Sequence, residues 1–286
     1  MIKSKTFKRD NAKLYIVGTP IGNLKDISQR ALETLVFVDV VYCEDTSNSV
    51  RLLSHFSIKK PLFSLHEHNE NKAAHEAIKK IQSGQNVAYI SDAGNPIVSD
   101  PGSLLVSLAI ESGVDVVTVL GPSAFIHVLI NSGFDSRAFE FIGFLPRDNK
   151  ERKESLISLT KKTNTVILYE APHRIGALLK SLSEYLPGRE LCLGREITKI
   201  HEEFIYGATE ELATIDPETL KGEIAIAIKG ADAATCADSS EPERLIARIY
   251  ISLKEKMTSK DIIDHIVKTF DLKKNLVYKV IERLKK

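Results

Sequence analysis

Three short segments of the sequence combine glycine, proline and small polar residues in a way that suits close contact with a ligand. They read VGTPIGNLKD (17–26), SDAGNP (91–96) and LGPSA (120–124). Small residues let main-chain groups approach a bound molecule closely. The sequence has neither a G-x-G-x-x-G nor a G-x-x-x-x-G-K-[ST] pattern, so a dinucleotide or ATP phosphate site is not indicated. The segments favour a ligand without phosphates that is held by backbone groups.

The second segment runs on into a second cluster of turn-forming residues, giving SDAGNPIVSDPG. One such cluster is enough to reverse a chain. The later cluster predicts the start of a helix, with Asp100 as the N-cap and Pro101 at the first helical position. If the later cluster starts the helix, the earlier one, SDAGNP, is expected to do more than reverse the chain.

The elements that would position these segments alternate between strand and helix. Apolar runs predict five strands, over 13–20, 36–45, 61–67, 86–92 and 114–121, and amphipathic segments of helical length separate most of them. This alternation is typical of an α/β domain with a parallel-type sheet that is covered on both faces. Ligands of such sheets bind at the carboxyl ends of the strands, where the three segments lie.

From residue 123 the pattern changes. The runs FEFIGFLP, TVILYEAP, ELCLGREI, EEFIYGA and EIAIAIKG predict an α+β domain with a mixed sheet and two convincing helices. The sequence is therefore divided into a first domain over 12–122, a second over 123–232, a small polar linker over 233–243 and a helical tail over 244–286. The tail has the pattern of a helix-turn-helix with a lysine-rich last helix.

Composition limits the kinds of partner. The 286 residues carry 39 basic and 38 acidic side chains, so binding to nucleic acid needs a local basic patch. The three cysteines are isolated and the histidines match no zinc spacing, so we expect neither disulfides nor a metal site. No signal peptide or membrane-spanning run is present, which favours a cytoplasmic protein with no membrane partner.

The order of the motifs resembles a known family. LYIVGTPIGNLKDISQRALETL, EDT, HEHNE, SDAGNPIVSDPG, GPSA, GFLPR, YEAPHR, REITKIHEEF and the GE before the last strand follow one another as in the ribosomal RNA small-subunit methyltransferase I family, within the tetrapyrrole methylase superfamily. The resemblance covers 14–230 nearly continuously and extends to the tail. An ordered set of motifs is far more specific than any one of them.

The resemblance implies a two-domain, dimeric enzyme that uses S-adenosylmethionine to methylate the ribose 2′-oxygen of a cytidine. The target would lie in the decoding region of 16S ribosomal RNA, presented as free RNA or within the small ribosomal subunit. The methyl donor would sit between the two domains. The positions that match the donor-binding motifs of the superfamily are Pro20, Ala93, Gly94, Asn95, Val98, Ser123, Ala124 and Glu170.

Two places depart from the pattern of that family. This chain has Asp45-Thr46-Ser47-Asn48-Ser49 where the family usually has Asp-Thr-Arg-His-Thr, and Asn95 where the family usually has threonine. The first change removes an arginine that would contact RNA phosphate or an interface. The second keeps a side chain that forms hydrogen bonds.

Methyl transfer to a hydroxyl needs in-line alignment of the reacting atoms and a route for the hydroxyl proton. The candidates for a general base on the relevant loops are Asp92, Glu170 and Glu44. Structural roles are the alternatives: Asp92 capping a loop and Glu44 pairing with a local cation. Glu170 would instead hydrogen-bond Arg174 or His173.

Cations of the second domain and the tail are the candidates for RNA contacts, because phosphates need cations and a guanidinium can also hold a base. They are Arg147, His173, Arg174, Arg195, Lys199, Lys279 and Arg283. Structural ion pairs are the alternative at the strand ends. For the tail, the alternative is a solvated helix that only docks on the second domain.

Two other functions remain open from the sequence. One is a methyltransferase of the same superfamily that acts on a tetrapyrrole of the precorrin type. The other is a ribosome-binding or assembly factor that keeps the fold without catalysis. Binding of S-adenosylmethionine separates the enzymes from the factor.

Overall fold

The computed structural model of the chain describes residues 11–231 and 241–285. Its contacts divide into two compact units, and the division falls between Ala124 and Phe125. This division is close to the junction predicted at 122–123, while the domain limits themselves stay a prediction. No helix among the described residues is both long enough and apolar enough to cross a bilayer.

The first unit alternates strands with helices. Its elements are β1 (Leu14–Val17), α1 (Gln29–Phe37), β2 (Val40–Cys43), α2 (Thr46–His55), β3 (Leu62–Ser64), α3 (Glu70–Gln82), β4 (Val87–Ile90), α4 (Ser103–Glu111) and β5 (Val116–Val119). The strands pair in the order β3-β2-β4-β1-β5, and every pair is parallel. The predicted α/β class and parallel sheet are therefore confirmed.

Helices cover both faces of this sheet because the chain moves in opposite directions along it. Strands β4 and β1 are neighbours in the sheet, with β2 on one side of this pair and β5 on the other. The chain runs from β1 to β2 and from β4 to β5, so these two connections go in opposite directions. Right-handed crossovers then place α1 and α2 on one face and α3 and α4 on the other. Two separate apolar clusters match these two layers. The crevice of such a sheet opens at the carboxyl ends of β1 and β4.

The second unit is built around a mixed sheet, as predicted. Its elements are α5 (Ala124–Ser132), β6 (Phe139–Phe144), α6 (Asn149–Thr160), β7 (Thr165–Glu170), α7 (Pro172–Tyr185), β8 (Glu190–Arg195), β9 (Glu203–Ala208), α8 (Thr209–Leu212) and β10 (Ile224–Ile228). The order is β6-β7-β10-β8-β9, with β6 and β7 parallel and the other pairs antiparallel. Leucines of α6 and α7 pack on one face of the sheet.

The tail folds into α9 (Glu241–Leu253), α10 (Ser259–Phe270) and α11 (Lys274–Leu284). Thr258 caps α10 and Asp271 makes the turn to α11 with a φ of 53°. The three helices share one apolar cluster. This cluster adjoins α7 through an edge-to-face contact of Phe270 with Tyr185, whose rings lie 5.3 Å apart. The predicted helix pair of the tail is present and docks on α7. Most of the predicted linker lies outside the described residues, and its last residues belong to α9.

The start of α4 differs from the prediction. The helix begins at Ser103, and its N-cap residue is Gly102, with a φ of 117°. Glu70, at the start of α3, accepts hydrogen bonds from the main-chain N–H groups of Gly102 (2.9 Å) and Leu104 (3.1 Å). The prediction of Asp100 as the cap is therefore wrong, because a carboxylate from another helix already satisfies the N–H groups at this helix start.

Replacing Glu70 with alanine will lower the free energy of unfolding by about 1 kcal/mol, because the start of α4 loses its acceptor. Urea unfolding measures the loss. Glu76→Ala is the matched control on the same helix: Glu76 lies 4.0 Å from exposed Lys72. A pair of this kind contributes about 0.5 kcal/mol or less. Equal losses in the two variants would contradict the capping role of Glu70.

Candidate functional site

The loops after β1 and β4 are joined directly at the carboxyl edge of the first sheet. The main-chain N–H of Thr19 donates to the carbonyl of Gly94 (2.8 Å), and that of Gly94 donates to the carbonyl of Thr19 (3.1 Å). The fully buried Thr19 hydroxyl also donates to the carbonyl of Ser91 (3.2 Å). The sequence predicted that both loops lie at this edge, and the structure shows them as one hydrogen-bonded unit.

Asn95 joins the third loop to this unit. Its Nδ2 donates to the carbonyls of Gly121 and Pro122, each at 3.1 Å, and its Oδ1 accepts from the N–H of Gly121 at 2.8 Å. The side-chain amide of Asn95 therefore forms its hydrogen bonds with the main chain of the loop after β5. Sequence reasoning assigned Asn95 to the donor site, and a contact with the donor stays a prediction.

The two main chains that Asn95 connects approach each other at Gly18 and Gly121. A Cβ atom on Gly18 would lie 2.3 Å from the nitrogen of Gly121 and 2.6 Å from the Asn95 oxygen. One on Gly121 would lie 2.9 Å from the carbonyl carbon of Gly18. Such distances require displacement of backbone atoms, so both positions need glycine. The contact places the loops after β1, β4 and β5 against one another.

The loop after β4 has an unusual backbone. Gly94 has a φ of 77°, and two residues with side chains, Ile97 (78°) and Ser99 (69°), also have positive φ. A branched residue such as isoleucine is strained in this region. Strain of this kind is concentrated at functional sites. The exposed Ala93 and Val98 on the same loop present a small surface to solvent.

Asp92 ties the loop after β4 to the start of α2. Its Oδ1 accepts from the main-chain N–H of Asp45 (3.1 Å) and its Oδ2 from the side chain of Asn48 (2.8 Å). Asp45 in turn caps α2 by accepting from the N–H of Ser47 (2.7 Å). Asp92 therefore has a structural role, although the partners of its side chain lie at the start of α2 and not in the loop after its own strand, which the capping alternative named. These contacts also give a structural role to Asn48, which lies in the segment that departs from the family pattern.

Several carboxylates lie at this edge, and the pKa values of two of them are raised. Burial raises the pKa of Glu44, and the negative charges of Asp100 and Asp92 raise it further. A hydrogen bond with the main chain of Asp92 acts in the opposite direction but does not outweigh them. Burial also raises the pKa of Asp100, opposed by a hydrogen bond from Ser91. Glu44 is therefore the candidate base whose acidity is moved towards neutral pH.

Glu170, the third candidate base, is enclosed within the second unit. Its side chain is fully buried, and Oε1 accepts from the N–H of Ala171 (3.0 Å) and lies 3.2 Å from Nε of Arg174. Oε2 lies 3.7 Å from Nη1 of Arg152. A second nitrogen of Arg174 donates to the carbonyl of Leu145 (3.1 Å). The carboxylate is thus a structural anchor for two arginines, as the alternative involving Arg174 expected.

Those two arginines line a basic cleft between the starts of α6 and α7. The cleft has a volume of about 710 Å³. Its basic lining side chains are Arg147, Arg152, Lys153, His173 and Arg174. Arg147, Lys153 and His173 are exposed, while Leu156 and Tyr185 supply an apolar part of the wall. Three of the predicted RNA-contacting residues therefore lie together in one concave surface of the second unit.

The other predicted RNA contacts lie outside the lining of this cleft and are mostly ion-paired. Arg195 donates to Glu203 (2.6 Å), and Arg283 donates to Glu243 (3.0 Å). Burial acts to lower the pKa of Lys199, but its hydrogen bond to Glu196 and the charge of Glu223 outweigh burial and raise it. These pairs match the structural alternative for Arg195 and Lys199. Lys279 is exposed on α11.

Sequence reasoning missed Arg152 and Lys153. They fall in NKERKESLISLT, where cations and anions alternate along a solvated helix and carry no motif. The signal that would have found them is helical spacing, since residues three or four apart share a face. Arg152 and Leu156 are one such pair. Within the described ranges, no three His, Cys, Asp or Glu side chains are arranged to hold a metal ion.

Comparisons with known proteins cover nearly the whole chain. The sequence profile of the Tetrapyrrole (Corrin/Porphyrin) Methylases matches residues 13–213. A protein of Haemophilus influenzae named Ribosomal RNA small subunit methyltransferase I is 42% identical over 93% of this chain and 94% of its own. The protein of that name from Vibrio cholerae is 40% identical over 98% of this chain and 97% of its own.

A solved structure shares the fold at low identity. It is the uroporphyrin-III C-methyl transferase of Thermus thermophilus complexed with S-adenyl homocysteine, with a TM-score of 0.54 and 16% identity. The match covers 76% of this chain and 97% of that one.

The raised pKa of Glu44 predicts a pH-dependent effect of Glu44→Gln. The folded state holds the proton more tightly than the unfolded chain does, so the wild type loses stability as pH rises from below 4.5 through the raised folded pKa. Glutamine removes this loss. The unfolding free energy of the variant, relative to wild type, is therefore expected to increase as the pH rises above about 4.5.

Urea unfolding at several pH values measures this difference. Asp100→Asn is expected to change in the same direction, because burial raises the pKa of Asp100 as well. A difference between variant and wild type that is the same at every pH would show that neither carboxyl is perturbed by folding.

Proposed function

Because the chain belongs to the Tetrapyrrole (Corrin/Porphyrin) Methylases family, and its near-full-length relatives are named as ribosomal RNA methyltransferases, we propose that it methylates 16S ribosomal RNA with S-adenosylmethionine. The finer proposal is transfer to the ribose 2′-oxygen of a cytidine in the decoding region, on free RNA or the small subunit in the cytoplasm. The observation that carries it is that 40% identity extends over 98% of the chain, so the match includes the second unit and the tail.

The loops of the first unit fit a donor that is held mainly by main-chain groups. The close contact of Gly18 with Gly121 leaves no space for side chains there, and Gly94 holds a conformation that suits glycine. When bound, S-adenosylmethionine supplies a methyl group on a positively charged sulfur. We assign its contacts to most of the predicted set, with Asn95 contributing through its main chain. The members, all within the first unit, are Pro20, Ala93, Gly94, Asn95, Val98, Ser123 and Ala124. Glu170, also in the predicted set, is not assigned as a contact, because its side chain is fully buried against two arginines of the second unit.

The reaction breaks the bond from sulfur to the methyl carbon, forms the bond from that carbon to the ribose oxygen and releases the hydroxyl proton. Alignment alone can supply about 7 to 11 kcal/mol, and a general base adds about 10²- to 10⁴-fold. Among the candidates we favour Glu44, because burial raises its pKa towards the working pH. Asp92 already accepts from two donors, and Glu170 is enclosed by two arginines. We assign both to positioning.

The basic cleft is the proposed RNA-contacting surface of the second unit. The chain has a net charge of +1, so attraction of a polyanion depends on a local concentration of cations. Of the five basic side chains that line the cleft, Arg147, Lys153 and His173 are exposed, whereas Arg152 and Arg174 are paired with Glu170. Lys279, on the tail, is a further contact in this proposal. Arg195, Lys199 and Arg283 contribute less, because each has a carboxylate partner.

The two alternatives are less well supported. A tetrapyrrole substrate is disfavoured because the solved uroporphyrin-III enzyme is 16% identical, whereas the ribosomal RNA methyltransferases are 40% or more. A factor without catalysis is disfavoured because the loops proposed to hold the donor keep their close backbone contacts. A homodimer belongs to the proposal as well. The exposed Ile130, Phe144 and Tyr206 of the second unit are apolar surfaces that a second copy would cover.

Incubation with S-adenosylmethionine and unmodified small ribosomal subunits, followed by digestion of the RNA and mass spectrometry, tests the function. We expect one new 2′-O-methylcytidine in 16S RNA. Free 16S RNA in parallel identifies the form that is used. Donor binding measured by calorimetry is the control for folding of the site. Binding of the donor without methylation of either RNA would overturn the proposed acceptor.

Lys153→Ala tests the cleft. We expect weaker binding to small subunits and a salt dependence whose logarithmic slope is smaller by about one, because one phosphate contact is lost. Lys180→Ala is the matched control, since Lys180 is exposed on α7 but does not line the cleft. Binding is measured across a salt titration. The same slope in both variants would remove the cleft from the RNA-binding surface.

A further inference from the structure

A second pocket lies at the carboxyl edge of the first sheet, entirely within the first unit. It has a volume of about 400 Å³. The loop after β1 contributes Pro20, Gly22 and Leu24, the loop after β4 contributes Ser91 and Asp92, and α2 contributes Asn48, Ser49, Arg51, Leu52 and His55. The contribution of α2 is a stripe with helical spacing, since Asn48, Arg51, Leu52 and His55 recur every three or four residues. One face of the helix thus forms a wall of the pocket.

The position of this wall is set by hydrogen bonds rather than by loose packing. Asp92 holds the first turn of α2 through the N–H of Asp45 and the side chain of Asn48, and Asp45 caps the helix. Arg51 lies on the next turn. The loop after β4 therefore holds α2 through Asp92, and Gly94 of the same loop pairs with Thr19 in the loop after β1.

Arg51 is the permanent cation among the described residues that line this pocket. Its side chain is exposed. Among the described residues, the ion pairs do not include Arg51. Asp92, the carboxylate of the pocket, already accepts from two N–H donors. The positive charge of Arg51 is thus left available for a ligand.

The charges near Arg51 indicate which kind of ligand would need a cation at this pocket. Glu44, Asp92 and Asp100 interact electrostatically at this edge, so an RNA strand that approaches it meets like charge. Like charges that approach closely near a protein surface repel each other. A guanidinium offsets this repulsion and can bind a phosphate through two parallel hydrogen bonds.

We propose that Arg51 holds a backbone phosphate of the RNA substrate at this pocket, next to the nucleotide that is methylated. The inference rests on the proposed function and names a residue that determines how the RNA is placed. Arg51 binds the strand and takes no part in the transfer of the methyl group. Leu52 and His55 line the same wall and offer an apolar surface and a ring to the adjoining nucleotide.

The test compares Arg51→Ala with Lys59→Ala in the full chain. Both substitutions remove one exposed positive charge from the first unit, and Lys59 does not line the pocket. Arg51→Ala is expected to raise the KM for small subunits about tenfold and to reduce the salt slope of binding by about one. The kcat and the affinity for S-adenosylmethionine are expected to stay within about twofold. Arg51→Lys is expected to restore part of the affinity, as a point charge without the fork.

The wild type is assayed first, so that the two proposals are judged separately. If the wild type does not methylate small subunits, the proposed function fails. If it does, and Arg51→Ala matches Lys59→Ala in KM and in salt slope, only the role of Arg51 fails. Weaker binding of S-adenosylmethionine by Arg51→Ala, with unchanged RNA binding, would also overturn it, because the guanidinium would then hold the donor carboxylate.

Discussion

The close approach of Gly18 and Gly121 is the constraint on which the edge of the first sheet depends. At this contact, the loops after two adjacent parallel strands come within a distance that excludes any Cβ atom. The amide of Asn95 spans the contact with three hydrogen bonds, and the Thr19–Gly94 bridge closes the other side. A surface made in this way consists of main chain and small side chains, which suits a ligand that is recognised by shape and by backbone hydrogen bonds.

Charge is distributed unevenly over a chain whose total is nearly neutral. The first unit gathers Glu44, Asp92 and Asp100 at the sheet edge, while the second gathers five basic side chains in its cleft. For an enzyme acting on RNA, these two features have different effects. In the proposed function the cleft attracts the polyanion over about 10 Å at ordinary salt. At the acidic edge Asp92 accepts from two N–H donors, and the proposal for Arg51 supplies the cation that a phosphate needs there.

The sequence predicted the positions of the strands because short apolar runs bounded by polar or turn-forming residues are local signals. The run predicted over 36–45 began too early, since Val36 and Phe37 belong to the end of α1 and β2 starts at Val40. The sequence failed at the start of α4, where Asp100 and Pro101 form a good local cap but Glu70, 30 positions earlier, supplies the acceptor. It also missed the contact of Asn95 with Gly121 and the place of Arg152 beside Glu170. Each of these last three misses is a side-chain contact between residues distant in sequence, and periodicity carries no information about such contacts.

The asparagine at position 95 shows how this edge can accept a change from the threonine usual in the family. Three polar groups of the loop after β5 need partners there: the N–H of Gly121 and the carbonyls of Gly121 and Pro122. An amide can donate twice and accept through its oxygen, so Asn95 satisfies all three at once. A hydroxyl offers one donor, which would leave one carbonyl to another partner or to water. In this chain the Asn95 side chain therefore links the loops after β4 and β5 through three hydrogen bonds.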